Sequence, residues 1–224
     1  MEKSYINQEI IDKIEGEINS VIQPIKAHHN RNYFFPTIIN KCGFKIGAEI
    51  GVDKGDFSKI LLKDTSLETL CCIDTWMDDF GSDIRPGYFD KSGERRMEEA
   101  GKNLSEFGGR VNLIRKSSLA ASYDIPDNSL DFCYIDGDHS LEGIYTDIYS
   151  WIKKVRVGGI LSGHDYKEGP GSGIKDYFGR QLPYFVKPVV NNFCSQYGFK
   201  LNAAGIVDGS RNQLVPSWWF VKNY

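Results

Sequence analysis

Apolar residues recur at helical spacing in Ile10, Ile11, Ile14, Ile18, Val21 and Ile22, and Pro24 stops the pattern, which predicts an amphipathic helix near the start of the chain. A loop containing His28, His29 and Pro36 is expected next, then a short helix ending near Cys42-Gly43. Past residue 44 the rhythm changes. Short apolar runs at 45–50, 69–73, 111–114, 130–135 and 160–162 read as strands, the fourth introduced by the turn Pro126-Asp127-Asn128-Ser129. A helix over 57–63 follows the first strand, with Phe57, Ile60 and Leu61 on one face. The strongest helical pattern is Leu141, Ile144, Tyr145, Ile148, Trp151, Ile152 and Val155, and Gly158-Gly159 are expected to end it. A helix over 189–197 then precedes two strand-like runs, 199–206 and 218–222, joined by a short polar link.

Strands alternating with helices predict a mostly parallel α/β sheet covered on both faces, with the last two strands as an antiparallel hairpin at one edge. Residues 1–44 are read as a helical extension and 45–224 as the main domain. The stretches 77–103 and 165–182 break the alternation and are rich in Gly, Asp, Arg and Tyr. Both follow strand ends, where open α/β sheets bind ligands, so both are expected to contact substrate.

Composition narrows the class. A chain of 224 residues with 41% hydrophobic and 25% charged residues suits one large domain with a sizeable core. The net charge of -3 provides no basic excess, which argues against nucleic acid and against an anionic membrane as partners. Arg95-Arg96 and Lys153-Lys154 read as solvated faces. Five cysteines, without a Cys-x-x-Cys pair and with Cys71-Cys72 inside an apolar run, point to reduced thiols and a cytoplasmic setting. The start Met1-Glu2-Lys3-Ser4-Tyr5 lacks a signal-peptide core, and no apolar run has the length of a membrane span.

The chemistry begins where the first strand meets Glu49-Ile50-Gly51-Val52-Asp53-Lys54-Gly55. Gly51 and Gly55 allow a tight turn and close approach to a ligand, and the following helix offers free N–H groups. Glu49 ahead of the glycines would be awkward beside a pyrophosphate but suits a ligand with a cationic amino-acid tail. Asp74, ending the second strand, can accept both hydroxyls of a ribose; Thr75 adjoins it and Trp76 can pack on an adenine. Ser117 and Ser118 follow the third strand, where small polar residues meet an adenine edge. A tight turn, a loop-capping aspartate and a crevice-filling tryptophan are the plainer alternatives. Of only four histidines, His139 and His164 fall just beyond neighbouring strand ends, flanked by Asp136, Asp138 and Asp165.

The motif at 49–55 resembles the first motif of class I S-adenosylmethionine-dependent methyltransferases, and Asp74 falls where that superfamily holds the cofactor ribose. Asp136-Gly137-Asp138-His139 and His164-Asp165-Tyr166 are similar to elements of the family that includes macrocin- and mycinamicin-type sugar O-methyltransferases. The resemblance spans roughly residues 44–166 and the terminal hairpin. It implies a Rossmann-like methyltransferase fold with a seven-stranded sheet, S-adenosyl-L-methionine as cofactor, and O-methylation of a small hydroxylated acceptor such as a sugar or glycosylated metabolite. It also implies a magnesium ion at Asp136 and Asp165 and His139 as base, with Asp136 beside the cofactor as well. His164 stands where that family has an acidic ligand; imidazole suits manganese, zinc or iron better than magnesium, so either the metal differs, His164 faces the substrate instead, or the metal has been lost. A metal or a histidine near neutrality would assist removal of a hydroxyl proton. A metal-independent N-methyltransferase and a nucleotide-binding Rossmann oxidoreductase or sugar-modifying enzyme are the rivals; the missing third fingerprint glycine counts against the latter. Homo-oligomer formation stays open.

Overall fold

The computed structural model describes residues 8–22, 31–77, 92–169, 183–204 and 216–224. In chain order the elements are α1 (Gln8–Ile22), α2 (Arg31–Cys42), β1 (Ile46–Ile50), α3 (Asp56–Asp64), β2 (Thr69–Asp74), α4 (Ser92–Leu104), β3 (Val111–Arg115), α5 (Ser118–Ser122), β4 (Leu130–Ile135), α6 (Leu141–Trp151), β5 (Val155–Gly163), α7 (Val186–Tyr197), β6 (Asn202–Ala204) and β7 (Ser217–Val221). The strands form one sheet in the order β3-β2-β1-β4-β5-β7-β6. The first five are parallel, and β7 and β6 run antiparallel at the edge. This is the Rossmann-like methyltransferase fold with an N-terminal helical part.

Two cores follow from the alternation of side chains across the sheet. On one face Phe132 and Tyr134 of β4 meet Phe34 and Phe35 of α2 and Phe57 of α3. The Phe35 ring lies 5.6 Å from Phe132 and 5.2 Å from Tyr134. On the other face Cys133 and Ile135 pack with Ile148 and Trp151 of α6 and Phe193 of α7. Central parallel strands covered on both sides must be apolar throughout, which is why these segments were legible as runs.

The structure departs from the sequence reading in several places. The helix at 141 ends at Trp151, and Gly158-Gly159 lie inside β5. Those glycines form a bulge: Leu130 pairs with Val155 but Phe132 pairs with Ile160, and Gly158 takes φ 78°. Pro36 is inside α2, where the burial of Phe34, Phe35, Ile38 and Ile39 outweighs one missing N–H donor. The stretch 77–103 contains α4, while α5 and a 3₁₀ turn over Ser105–Arg110 were not anticipated. The strand expected at 199–206 is observed as Asn202–Ala204. His28, His29, residues 78–91 and residues 170–182 fall outside the described residues. All five cysteines are free. Among the described residues no helix is long and apolar enough to cross a membrane.

Candidate active site

Strand order reverses between β1 and β4, and a crevice opens at such a switch point. The strand ends are laced together there: Gly51 N donates to Ile73 O at 2.8 Å and Asp136 N donates to Ile50 O at 2.7 Å. A cavity of about 710 Å³ lies above them. Gly51, Asp74, Thr75, Ser117, Ser118 and Asp136, all expected at the site, line it. Met77 and Arg96 line it too, so two described residues of the 77–103 stretch reach the cavity.

Asp74 is oriented by the chain itself. Its Oδ2 accepts from Asp53 N and its Oδ1 from Trp76 N, each at 2.8 Å, and each oxygen retains a lone pair for a ligand. Ser117 caps α5 by accepting from Ala120 N, and Ser118 Oγ accepts from Trp151 Nε1 at 2.8 Å.

Three of the residues expected to bind the cofactor do not line this cavity. Trp76 is 1% exposed and packs in the core, its indole N–H donating to Asp53 O at 2.7 Å; it braces the turn rather than offering a face to an adenine. Glu49 is buried beneath the turn and accepts a hydrogen bond from Ser58. Burial pushes its carboxyl up to about 8, against the opposing effect of Ser58. Gly55 forms the N-cap of α3, behind the turn.

Asp147 was missed. It is buried, lines the cavity, and burial pushes it up to about 7, with Ser118 opposing. The available signal was an acid within the apolar stripe of α6, between Ile144 and Trp151.

Asp136 connects the cavity to a second cluster. His139 Nε2 lies 3.1 Å from Asp165 Oδ2 and 3.7 Å from Asp136 Oδ1. His164 Nδ1 lies 3.5 Å from both of those oxygens. Burial opposes ionisation of Asp136, but His139, His164 and Arg31 outweigh it and hold the carboxyl well below its usual range. Asp165 is likewise lowered, burial being overcome chiefly by His164. His164 is raised, because the two carboxylates outweigh burial. Asp165 sits at φ 49°, a left-handed conformation that a non-glycine residue holds only when its surroundings impose it. Ser140 caps α6, accepting from Gly143 N at 3.1 Å, while Asp138 accepts from Ser140 N and Oγ. Sequence reasoning also missed Arg31, whose Nη1 donates to Asp136 Oδ2 at 2.7 Å.

The cluster fits a divalent cation. Asp136, His139 and Asp165 each bring one ligand atom within 4.8 Å of the others. His139 Nε2 is buried without a hydrogen-bond partner despite its short approach to Asp165, as a nitrogen turned toward a shared centre would be.

Residues 48–166, more than half of the chain, match the family described as "Methyltransferase domain". The chain belongs to the methyltransferase-domain family. That membership counts against the oxidoreductase rival. The chain is 27% identical over 134 residues to the Sinorhizobium fredii protein y4gI, a match covering 59% of this chain and 14% of that protein, so the chain spans a small part of that relative's length. Its fold is similar to that of the Bacillus cereus O-methyltransferase in complex with SAH (TM-score 0.58, 15% identity, 94% of this chain and 91% of that one). It is also similar to Burkholderia thailandensis 1,6-didemethyltoxoflavin-N1-methyltransferase (TM-score 0.58, 12% identity, 100% and 93%) and to an rRNA methylase from Streptococcus thermophilus (TM-score 0.55, 12% identity, 81% and 88%). These names differ in the acceptor, so the likeness carries the fold and the acceptor has to come from the site.

Proposed function

We propose that this methyltransferase uses S-adenosyl-L-methionine to methylate the oxygen of a small hydroxylated acceptor, a sugar or glycosylated metabolite of the kind its resemblance to macrocin-type enzymes implies. The observation that carries the reading is the position of Asp136, which lines the cavity beside Asp74 and also belongs to the imidazole–carboxylate cluster. Residues 45–224 form the catalytic domain and residues 1–44 its helical extension.

In this reading Asp74 and Thr75 hold the ribose, Gly51 admits the amino-acid tail, and Ser117 and Ser118 meet the adenine edge. The bound cofactor supplies an electrophilic methyl group on a sulfonium. The acceptor hydroxyl would lose its proton to His139 as its oxygen bonds the methyl carbon; the methyl–sulfonium bond would break and release S-adenosylhomocysteine, with alignment supplying much of the rate. Asp136, Asp165 and His164 would hold a divalent cation: magnesium, or manganese, zinc or iron given the imidazoles. When bound it would lower the pKa of a coordinated hydroxyl. The spacing of Asp136, His139 and Asp165 favours a second assignment, with His139 as ligand and His164 as base.

Calorimetry with S-adenosylhomocysteine and with NAD tests the cofactor; binding of NAD alone would sink the reading. Locating the transferred methyl by NMR of the product distinguishes oxygen from nitrogen acceptors.

A further inference from the structure

Each carboxylate of the cluster is divided between an inner and an outer partner. Asp136 turns Oδ1 toward the two imidazoles and gives Oδ2 to Arg31. Asp165 turns Oδ2 toward the same imidazoles, while its Oδ1 lies 3.5 Å from Lys167 Nζ. Two permanent cations therefore hold the outer oxygens. Both come from outside the matched family segment, residues 48–166: Arg31 opens α2 and Lys167 follows β5.

Arg31 is held there by more than its charge. Its guanidinium lies 4.8 Å from the Phe57 ring centroid and 5.8 Å from that of Tyr134, and Nη1 also reaches Tyr134 Oη at 3.4 Å. Its helix is anchored by buried Phe34, Phe35, Ile38 and Ile39. A guanidinium stacked in this way keeps its fork in one orientation, and with the side chain only 29% exposed its field is weakly screened. A divalent cation approaching the inner oxygens meets carboxylates that are already partly neutralised. Affinity at such sites follows ligand charge and rigidity, and a fixed positive charge a few ångströms away opposes binding.

We propose that Arg31 is a positioning residue for this cluster, a resident counter-cation delivered by the N-terminal helices, which turns Asp136 Oδ1 inward and keeps a divalent metal weakly held and exchangeable. The N-terminal helices thereby contribute to the active site rather than only covering the sheet. This rests on reading the cluster as a cation site.

The test is Mn²⁺ binding to the full chain, followed by electron paramagnetic resonance and calorimetry, for the wild type, Arg31→Gln, Arg31→Lys and Asp136→Asn. Arg31→Gln should bind Mn²⁺ about 10-fold more tightly, from the lost repulsion; Arg31→Lys should resemble the wild type and Asp136→Asn should bind poorly. Mn²⁺ binding by Arg31→Gln alone, with none by the wild type, would show that Arg31 excludes the metal and would overturn the proposal that the native site holds one. Unchanged or weaker binding by a folded Arg31→Gln would overturn it while leaving the cation site standing. Absence of Mn²⁺ binding in every variant would remove the cation site and this proposal together. If Arg31→Gln does not fold, Lys167→Gln, which frees the outer oxygen of Asp165, should shift affinity in the same direction, and no shift would count against the proposal.

Discussion

Gly51 and Asp136 meet backbone against backbone: a β-carbon on Gly51 would stand 2.1 Å from the Asp136 carbonyl oxygen and 2.8 Å from Gly137 N. The turn that begins the cofactor crevice is thus packed directly on the loop that carries the acid. Gly51 also adopts φ 87°, so conformation and space independently require glycine.

Gly51→Ala should therefore destabilise the protein by about 2–4 kcal/mol, combining left-handed strain with an overlap against backbone that cannot rotate away. Gly55→Ala would meet the Leu104 side chain at 3.1 Å, which can shift, and should be milder. Urea unfolding of both variants checks this; equal losses would contradict the close approach as the cause.

Asp74→Ala should weaken S-adenosylhomocysteine binding by roughly 1–3 kcal/mol, the range for leaving buried polar groups unpaired. Calorimetry provides the measurement. Unchanged affinity would remove Asp74 from the ribose site.

Glu49 has a definite pH signature. Its folded value of about 8 lies above the ordinary 4.5, because burial favours the neutral acid. The folded state thus holds a proton that the unfolded state releases. The stability this contributes is fully present below about 4.5 and is lost as pH rises through 8. Glu49→Gln retains an acceptor for Ser58 and should flatten this dependence, with its advantage over wild type growing from pH 5 to 8. Parallel stability profiles would show that Glu49 is not buried in its neutral form.

His139→Ala should lower turnover by about 10²–10⁴-fold while leaving cofactor affinity nearly intact. Because Ser140 supplies the cap of α6, its thermal midpoint should barely move. His164→Ala should instead lose Mn²⁺ affinity. If His139→Ala loses Mn²⁺ binding and His164→Ala does not, the two roles are exchanged.

The alternation of strands and helices, the glycine turn and the acids at strand ends were legible because local patterning governs them. Continuous apolar runs mark strands covered on both faces, and a glycine pair after the first run marks a tight turn. Gly158-Gly159 misled for a related reason: glycine signals a break in regular structure, and only the pairing of β5 with β4 shows that the break is a bulge. The direction of Trp76 was likewise illegible, since φ 40° at that residue turns the indole into the core.

By itself the sequence determined the α/β class, the cofactor-type turn at 49–55, and the proximity of His139 and His164 to carboxylates beyond adjacent strand ends. Only the tertiary structure decided that Trp76 and Glu49 would be buried behind the crevice, that Asp147 would line it, and that Arg31 would reach Asp136 across 105 residues of chain. The physical reason is range. Backbone turns and the alternation of burial are set by neighbouring residues, whereas a pairing between charges that distant in sequence exists only after α2 and β4 have been packed together around Phe35, Phe132 and Tyr134.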